Sequence, residues 1–228
     1  MIKLVLIRHG QSLWNLENKF TGWTDIKLSA EGITEAKKAG LLLKENNFKF
    51  DIAYTSTLVR ATQTLDIILE ELNQSNIEIK SNYKLNERHY GALQGLNKEE
   101  TAQIYGLKQV QIWRRSANVR PPKLSIDDPR HPRFDLKYKN IDLKNLPSSE
   151  NLLDTLKRVI EYWNDEIKIS LLEGKQVIVV AHGNSLRALI KYLDNLDDKQ
   201  ITYLEIPTGK PLIYELDDNL KPINNYYL

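Results

Sequence analysis

The sequence contains no cysteine, so disulfide bonds, thiolate nucleophiles and thiolate metal ligands are all excluded. It also has little net charge, because 32 lysine and arginine residues are opposed by 30 aspartate and glutamate residues. Nonspecific binding to nucleic acid or to an anionic membrane needs a large excess of positive charge. Any site for an anion must therefore be local and built from a few residues.

Long hydrophobic runs are absent as well. No apolar run is long enough to cross a bilayer, and the segment before Arg8 has too few apolar residues for a signal peptide. We therefore expect a cytoplasmic protein with no membrane or nucleic-acid partner. The chain has 228 residues, of which 41% are hydrophobic. That is enough for one full core and favours a single domain over residues 1–228.

Strand and helix patterns alternate along the chain. Short apolar runs rich in branched residues predict buried strands at residues 4–7, 51–55 and 176–180. Apolar residues at helical spacing predict helices at residues 29–46, 58–72, 152–167 and 186–193. This alternation predicts an α/β fold, a mostly parallel sheet with helices on both faces. Residues 213–216 predict one more strand, near an edge because prolines precede it.

The alternation breaks over residues 86–148. This insert holds two predicted short helices, near residues 98–105 and 107–115, followed by a proline-rich stretch. A long irregular insert in a compact domain is typical of a lid that covers a site. The alternative is a mobile surface excursion without a role.

Two histidines, His9 and His182, each end a predicted strand and are each followed by glycine. Ligands of open parallel sheets bind at the carboxyl ends of strands, so the two histidines share one crevice if their strands are neighbours. Arg8 and Arg187 flank them, and backbone N–H groups of the glycine turns are expected to point at an anion. The pattern indicates a site for a phosphoryl group. A histidine that is only structural is the alternative for either residue.

His9 is the candidate nucleophile, because a neutral imidazole accepts a phosphoryl group near pH 7 without a metal. Arg8, Arg60 and His182 are the candidates to stabilise the charge that builds on the phosphoryl oxygens. Glu87 is the candidate general acid, since a phosphate beside it favours the protonated form. An ion pair of Glu87 with a neighbouring arginine is the alternative.

The insert supplies three further cations, Lys98, Arg114 and Arg115. Adjacent arginines in a lid-like segment are suited to clamp the carboxylate and second phosphate of a small substrate. The alternative is a solvated helix face.

Several segments resemble phosphoglycerate mutases that depend on 2,3-bisphosphoglycerate. They are residues 8–15, 20–23, 85–98, 112–116, 181–189 and 206–209. The triplet Arg-His-Gly alone indicates only the wider histidine phosphatase superfamily. The longer runs Glu-Arg-His-Tyr-Gly and Trp-Arg-Arg-Ser are typical of the mutases, and together the segments cover nearly the whole chain in order.

This resemblance implies that the protein interconverts 3-phosphoglycerate and 2-phosphoglycerate in glycolysis and gluconeogenesis, with 2,3-bisphosphoglycerate as primer and intermediate and no metal. It implies phosphorylation of His9, proton transfer by Glu87 and stabilisation by His182. It also implies a homodimer or homotetramer. The residues it implies for substrate binding are Arg8, Gly10, Gln11, Ser12, Asn15, Thr21, Gly22, Arg60, Glu87, Arg88, His89, Tyr90, Lys98, Arg114, Arg115, Gly183 and Asn184.

Three other functions compete with this interpretation. A phosphatase of the same fold, acting on sugar or nucleotide monoesters, would use the same His9 but would not need the cations of the insert. A noncatalytic phospholigand-binding module would lack the nucleophile or acid, and a metal enzyme would need histidines at ligand spacing. Many mutases carry a Lys- and Ala-rich tail beyond the position of Leu228. Without such a cover, we expect more hydrolysis of the phosphohistidine.

Overall fold

The computed structural model describes all 228 residues and contains one six-stranded sheet. The strands are β1 (Ile2–Arg8), β2 (Ile52–Thr55), β3 (Glu78–Ser81), β4 (Val177–Ala181), β5 (Leu212–Leu216) and β6 (Pro222–Tyr227). Their order across the sheet is β3-β2-β4-β1-β5-β6, and the pairs among the first four are parallel. The predicted α/β fold with a mostly parallel sheet is confirmed.

Nine α-helices connect or flank these strands. They are α1 (Leu13–Leu16), α2 (Ala30–Glu45), α3 (Val59–Glu71), α4 (Lys98–Tyr105), α5 (Leu107–Arg115), α6 (Leu152–Tyr162), α7 (Lys168–Leu172), α8 (Gly183–Leu193) and α9 (Gln200–Tyr203). The helix predicted over residues 152–167 is α6 followed by a π-helical turn at Trp163–Ile167. The two predicted helices of the insert are α4 and α5. None of the helices combines the length and the apolar character that crossing a membrane requires.

The core lies on both faces of the sheet, because successive side chains of a strand point to opposite sides. Leu4 and Leu6 of β1 pack in the cluster that contains residues of α6 and α8. Val5 and Ile7 of the same strand pack in the cluster formed with α2 and α3. One apolar run therefore joins both helical layers to the centre of the sheet, which explains why β1 has no polar residue between Leu4 and Ile7.

Strand β5 lies near an edge of the sheet, as predicted. It is the last strand but one, between β1 and β6, and is antiparallel to both. The edge strands are β3 and β6, whose sequences Glu-Ile-Lys-Ser and Pro-Ile-Asn-Asn-Tyr-Tyr have weak strand signals because most of their side chains are exposed. Pro222 begins an edge strand, where a missing N–H costs no ladder hydrogen bond.

The topology decides where the candidate site forms. Strands β1 and β4 are parallel neighbours, with Arg8 opposite Ala181. His9 and His182 therefore follow the carboxyl ends of these two strands and leave the sheet side by side. The insert is joined to the segment that follows β1 by backbone hydrogen bonds, among them that from Phe20 N–H to the Leu96 carbonyl at 3.0 Å.

Candidate active site

His9 is buried at the end of β1, and its two ring nitrogens have different partners. Nδ1 lies 2.6 Å from the carbonyl oxygen of Gly10, which can only accept, so Nδ1 carries the proton. Nε2 therefore keeps its lone pair. This is the tautomer that a nucleophilic imidazole needs.

The charge state of His9 follows from its surroundings. Burial, followed by the positive charges of Arg60 and Arg8, lowers the pKa of His9 well below its ordinary value of 6.5. The imidazole is therefore neutral near pH 7, which is the charge state that a nucleophile requires.

Arg60 is delivered by the first turn of α3 and is 1% exposed. Its Nη1 and Nη2 donate to the carbonyls of Thr24 and Gly22 at 3.0 and 2.7 Å. These bonds hold the guanidinium plane so that Nε lies 3.3 Å from His9 Nε2. Burial lowers the pKa of Arg60 to about 10, which still leaves it protonated at neutral pH.

His182 is fully buried at the end of β4, with its ring centroid 5.0 Å from that of His9. Its Nε2 lies 2.7 Å from the Ser56 hydroxyl, while Nδ1 has no hydrogen-bond partner. Burial and then the charge of Arg60 lower the pKa of His182 well below 6.5. A buried polar nitrogen without a partner is uncommon and marks a place where a ligand atom would complete the hydrogen bonding.

Glu87 is held from two sides. Its Oε1 accepts backbone N–H groups of Arg88 and Asn184 at 2.7 and 3.1 Å. Its carbonyl oxygen accepts from Trp23 Nε1 at 2.6 Å and from Arg158 Nη2 at 2.9 Å. With Oε1 occupied twice, Oε2 is the oxygen left to exchange a proton in the cavity that Glu87 lines.

One cavity of about 370 Å³ brings most of the candidate residues together. Beside His9, twelve residues predicted to bind substrate line it: Arg8, Asn15, Thr21, Gly22, Arg60, Glu87, Tyr90, Lys98, Arg114, Arg115, Gly183 and Asn184. The lining is strongly cationic, since Lys19 and Arg187 add to the five predicted lysines and arginines. Such a concentration of positive charge is suited to a ligand with more than one negative group.

The cations of the cavity are partly desolvated. Burial lowers the pKa of Lys98, of Arg114 and, to about 10, of Arg187. Several buried donors that belong to lining residues have no protein partner, namely Arg8 Nε, Arg187 Nε and the Thr21 hydroxyl. Both observations favour an anion as the ligand, because an anion would offset the desolvation of these cations and accept hydrogen bonds from the open donors.

Three residues of the loop after β1 that we predicted to bind substrate lie outside the cavity lining: Gly10, Gln11 and Ser12. Two N–H groups of this loop, which we expected to face an anion, already have partners within the protein. Gly10 N–H donates to the Thr64 hydroxyl at 3.1 Å, and Gln11 N–H donates to Glu35 Oε2 at 2.7 Å. The Ser12 hydroxyl accepts from the N–H three residues later and caps α1.

Arg88 and His89, also predicted to bind substrate, are fully buried behind the cavity lining. Arg88 Nη2 donates to the Tyr90 hydroxyl and to the Arg114 carbonyl at 3.0 and 2.6 Å. His89 Nδ1 accepts from Gly91 N–H at 3.0 Å. Glu87 and Tyr90 face the cavity, while Arg88 and His89, which lie between them in the sequence, support it from behind.

The sequence interpretation missed several lining residues. They are Lys19, Phe20, Arg187 and the segment 204–207. Arg187 was noticed only as a neighbour of His182. Segment 204–207 carried a signal, because the motif at residues 206–209 was recognised but given no role. The structure shows one: Arg8 Nη1 donates to the Ile206 carbonyl at 2.9 Å, and Gly209 N–H donates to the Arg8 carbonyl at 2.9 Å.

A family model described as the histidine phosphatase superfamily (branch 1) matches residues 4–131 and 126–226. The chain therefore belongs to the histidine phosphatase superfamily. The paired histidines at the ends of β1 and β4 lie within the matched residues.

Solved structures of both phosphatases and a mutase are similar to this chain. A mycobacterial glucosyl-3-phosphoglycerate phosphatase is 22% identical with a TM-score of 0.71, covering 100% of this chain and 97% of its own. A phosphoserine phosphatase from Entamoeba histolytica is 23% identical with a TM-score of 0.67, covering 100% and 96%. A phosphoglycerate mutase from Bacillus anthracis is 20% identical with a TM-score of 0.66, covering 100% and 91%. At these identities the similarity shows the fold, a phosphoglycerate mutase-like α/β sheet.

Proposed function

We propose that the protein interconverts 3-phosphoglycerate and 2-phosphoglycerate through a phosphoryl group carried on His9, primed by 2,3-bisphosphoglycerate. The observation that carries the proposal is the distribution of cations in one cavity. Arg8 and Arg60 lie at the nucleophile, while Lys98, Arg114 and Arg115 reach the same cavity from the insert. A ligand with two separate anionic groups matches both sets.

The phosphoryl end performs the chemistry. His9 Nε2 attacks phosphorus, the bond from phosphorus to the ester oxygen breaks, and its electron pair leaves with that oxygen. Glu87, through Oε2, would give this oxygen a proton and take one back from the acceptor hydroxyl in the reverse transfer. Arg8, Arg60 and the open Nδ1 of His182 would stabilise the charge on the equatorial phosphoryl oxygens.

The insert end would hold the rest of the substrate. Arginine forks match carboxylate and phosphate groups with two parallel hydrogen bonds, and Arg114 and Arg115 end helix α5 at the cavity. Lys98 adds a point charge from the first residue of α4. Isomerisation needs a substrate that stays bound while its two hydroxyls exchange places at His9, and this second set of contacts would retain it.

The residues present fit 2,3-bisphosphoglycerate. Buried open donors exist at Arg8 Nε, Thr21 Oγ1 and Arg187 Nε, all on the cavity lining, so a doubly phosphorylated ligand would satisfy groups that the protein leaves open. When bound, it would supply the phosphoryl group that primes His9. Everything else in the reaction is assigned to side chains of this chain.

The test is conversion of 3-phosphoglycerate to 2-phosphoglycerate by chelator-treated protein, with and without catalytic 2,3-bisphosphoglycerate. We expect conversion that needs the bisphosphate, survives chelation and is lost in His9→Ala. Arg133→Gln is the matched control, because Arg133 lies outside the cavity lining and over the Phe134 ring. Conversion that persists in His9→Ala would rule out the phosphohistidine.

The second candidate is a phosphomonoesterase. Two of the similar structures above are described as phosphatases, and their TM-scores of 0.71 and 0.67 are as high as that of the mutase at 0.66. Such an enzyme would use His9 in the same way but pass the phosphoryl group to water. Release of free phosphate from 3-phosphoglycerate without isomerisation would favour this candidate over the mutase.

A further inference from the structure

Glu205 is the second carboxylate on the cavity lining, beside Glu87. It follows α9, and its side chain is 74% exposed at the mouth of the cavity. Its Oε1 lies 2.5 Å from Nη2 of Arg115, one of the arginines of the proposed clamp. A negative charge directed at this arginine opposes the binding of an anionic ligand there.

The ion pair joins the insert to the loop between α9 and β5. Arg115 is the last residue of α5, whereas Glu205 precedes Ile206, whose carbonyl accepts from Arg8 at 2.9 Å. Ile206 is buried, so the backbone beside Glu205 is anchored. The Glu205 carboxylate can therefore swing away from Arg115 by side-chain rotation while the cavity keeps its shape.

A carboxylate is also what the clamp is proposed to bind. Glu205 offers Arg115 the same planar acceptor that a substrate carboxylate offers, so the two cannot occupy the same N–H groups at once. No comparable internal ligand exists at the nucleophile, where the partners of Arg60 are backbone carbonyls and His9. The competition is therefore confined to the insert end of the cavity.

We propose that Glu205 is an internal competitor for Arg115 that sets the affinity for substrates carrying a second anionic group. This rests on the part of the proposed function that assigns a phosphorylated carboxylate to the cavity. It makes Glu205 a specificity-determining residue, since it disfavours ligands with a second anionic group at Arg115 and leaves ligands without such a group unaffected.

The size of the effect follows from exposure. An ion pair between exposed side chains is weak, so its removal changes ligand affinity by only about threefold to fivefold. The charges are open to solvent, and salt screens them over a distance of about 10 Å at moderate ionic strength. The effect of Glu205 is therefore expected to shrink as salt is added.

The experiment compares two probes, 3-phosphoglycerate and glycerol 3-phosphate, which differ in the carboxylate. Calorimetric titration of wild type and Glu205→Gln at low and high salt gives four affinities for each protein. We expect Glu205→Gln to bind 3-phosphoglycerate about threefold to fivefold more tightly at low salt and glycerol 3-phosphate unchanged. Glu173→Gln is the matched control, because Glu173 forms an exposed pair with Lys175 at 2.9 Å.

A second comparison tests the mechanism. In an Arg115→Gln background, the gain from Glu205→Gln should disappear, because the group in dispute is gone. A gain that persists there, or equal affinity of wild type and Glu205→Gln for 3-phosphoglycerate, would overturn the proposal. These measurements report binding and not turnover. If Glu205→Gln shows the expected gain in affinity but the protein does not isomerise 3-phosphoglycerate, only the proposed mutase activity is contradicted.

Discussion

Nε of Arg60 lies 3.3 Å from Nε2 of His9, the nitrogen opposite the one that donates to the Gly10 carbonyl. The same guanidinium is held by two backbone carbonyls, so its position does not depend on a ligand. A fixed cation at the nucleophilic nitrogen has two consequences. After burial, which is the larger cause, it lowers the pKa of His9, and it stands where a transferred phosphoryl group would place its oxygens.

Replacing Arg60 should therefore change both rate and pH dependence. Arg60→Gln is expected to lower kcat by about 10² to 10³, the usual loss for one transition-state donor. Because the charge of Arg60 lowers the pKa of His9, its removal should raise that pKa and move the acid limb of the kcat/KM profile to higher pH. Arg60→Lys retains the charge but not the fork, so it should keep the acid limb and still lose rate. An unmoved limb in Arg60→Gln would contradict this assignment.

Ser56 is expected to set the tautomer of His182. The Ser56 hydroxyl oxygen accepts from Leu58 N–H at 3.1 Å, so its proton is free to donate to His182 Nε2, which leaves the proton on Nδ1. Ser56→Ala should lower kcat by about tenfold, the equivalent of one hydrogen bond, with little change in KM. Nitrogen NMR of His182 reports the tautomer directly. An unchanged tautomer with a lower kcat would refute the explanation.

The ion pair of Arg158 and Glu150 should be important for stability. Their side chains are 10% and 6% exposed, and Arg158 also donates to the backbone carbonyl of Glu87, the candidate general acid. Glu150→Ala leaves a buried cation without its partner and should cost about 3 to 5 kcal/mol in urea unfolding. The control is Arg120→Ala, which removes half of an exposed pair with Asp154 and should cost no more than about 1 kcal/mol. Similar losses in both variants would show that burial is not decisive.

All four histidines are buried and have a lowered pKa, that of His89 to about 3. Below the ordinary pKa of 6.5 the unfolded chain binds protons that the folded chain does not, so folding stability falls as the pH falls. Each such histidine contributes up to about 1.4 kcal/mol per pH unit in this range. The free energy of unfolding measured between pH 7 and 5.5 should therefore decrease steeply.

His131→Asn provides the control for that prediction. Asparagine can still accept from the N–H of Arg133, which is the role of His131 Nδ1, but it does not titrate. The variant should show a shallower loss of stability with acid than wild type. A pH-independent free energy of unfolding in wild type would mean that the histidines are less shielded than their burial indicates.

Much of the fold followed from local pattern. The apolar runs of β1, β2 and β4 and the helical spacing of α2, α3, α6 and α8 were sufficient, because a buried strand and an amphipathic helix each demand a distinct periodicity. Strands β3 and β6 gave no such signal, since edge strands are exposed and need few apolar residues. The homo-oligomeric state stays a prediction that light scattering can test.

The candidate site was predictable to the extent that motifs lie at strand ends. His9, Glu87 and the insert cations line one cavity, and His182 lies beside His9 with the two ring centroids 5.0 Å apart. The sequence interpretation failed for Arg88 and His89, which neighbour Glu87 and Tyr90 in the sequence but are buried behind them. Sequence adjacency does not say which way a side chain points in an irregular segment.

By itself, the sequence determined the α/β class, the two histidine turns and the excess of cations in the insert, because each depends on local residue types and their spacing. Only the tertiary structure decided which N–H groups stay open and which strands pair with β5. Only it revealed the pairing of Glu205 with Arg115, residues 90 positions apart in the chain. Such contacts depend on how distant segments pack, and a side chain in an irregular segment has no periodicity from which its partner can be inferred.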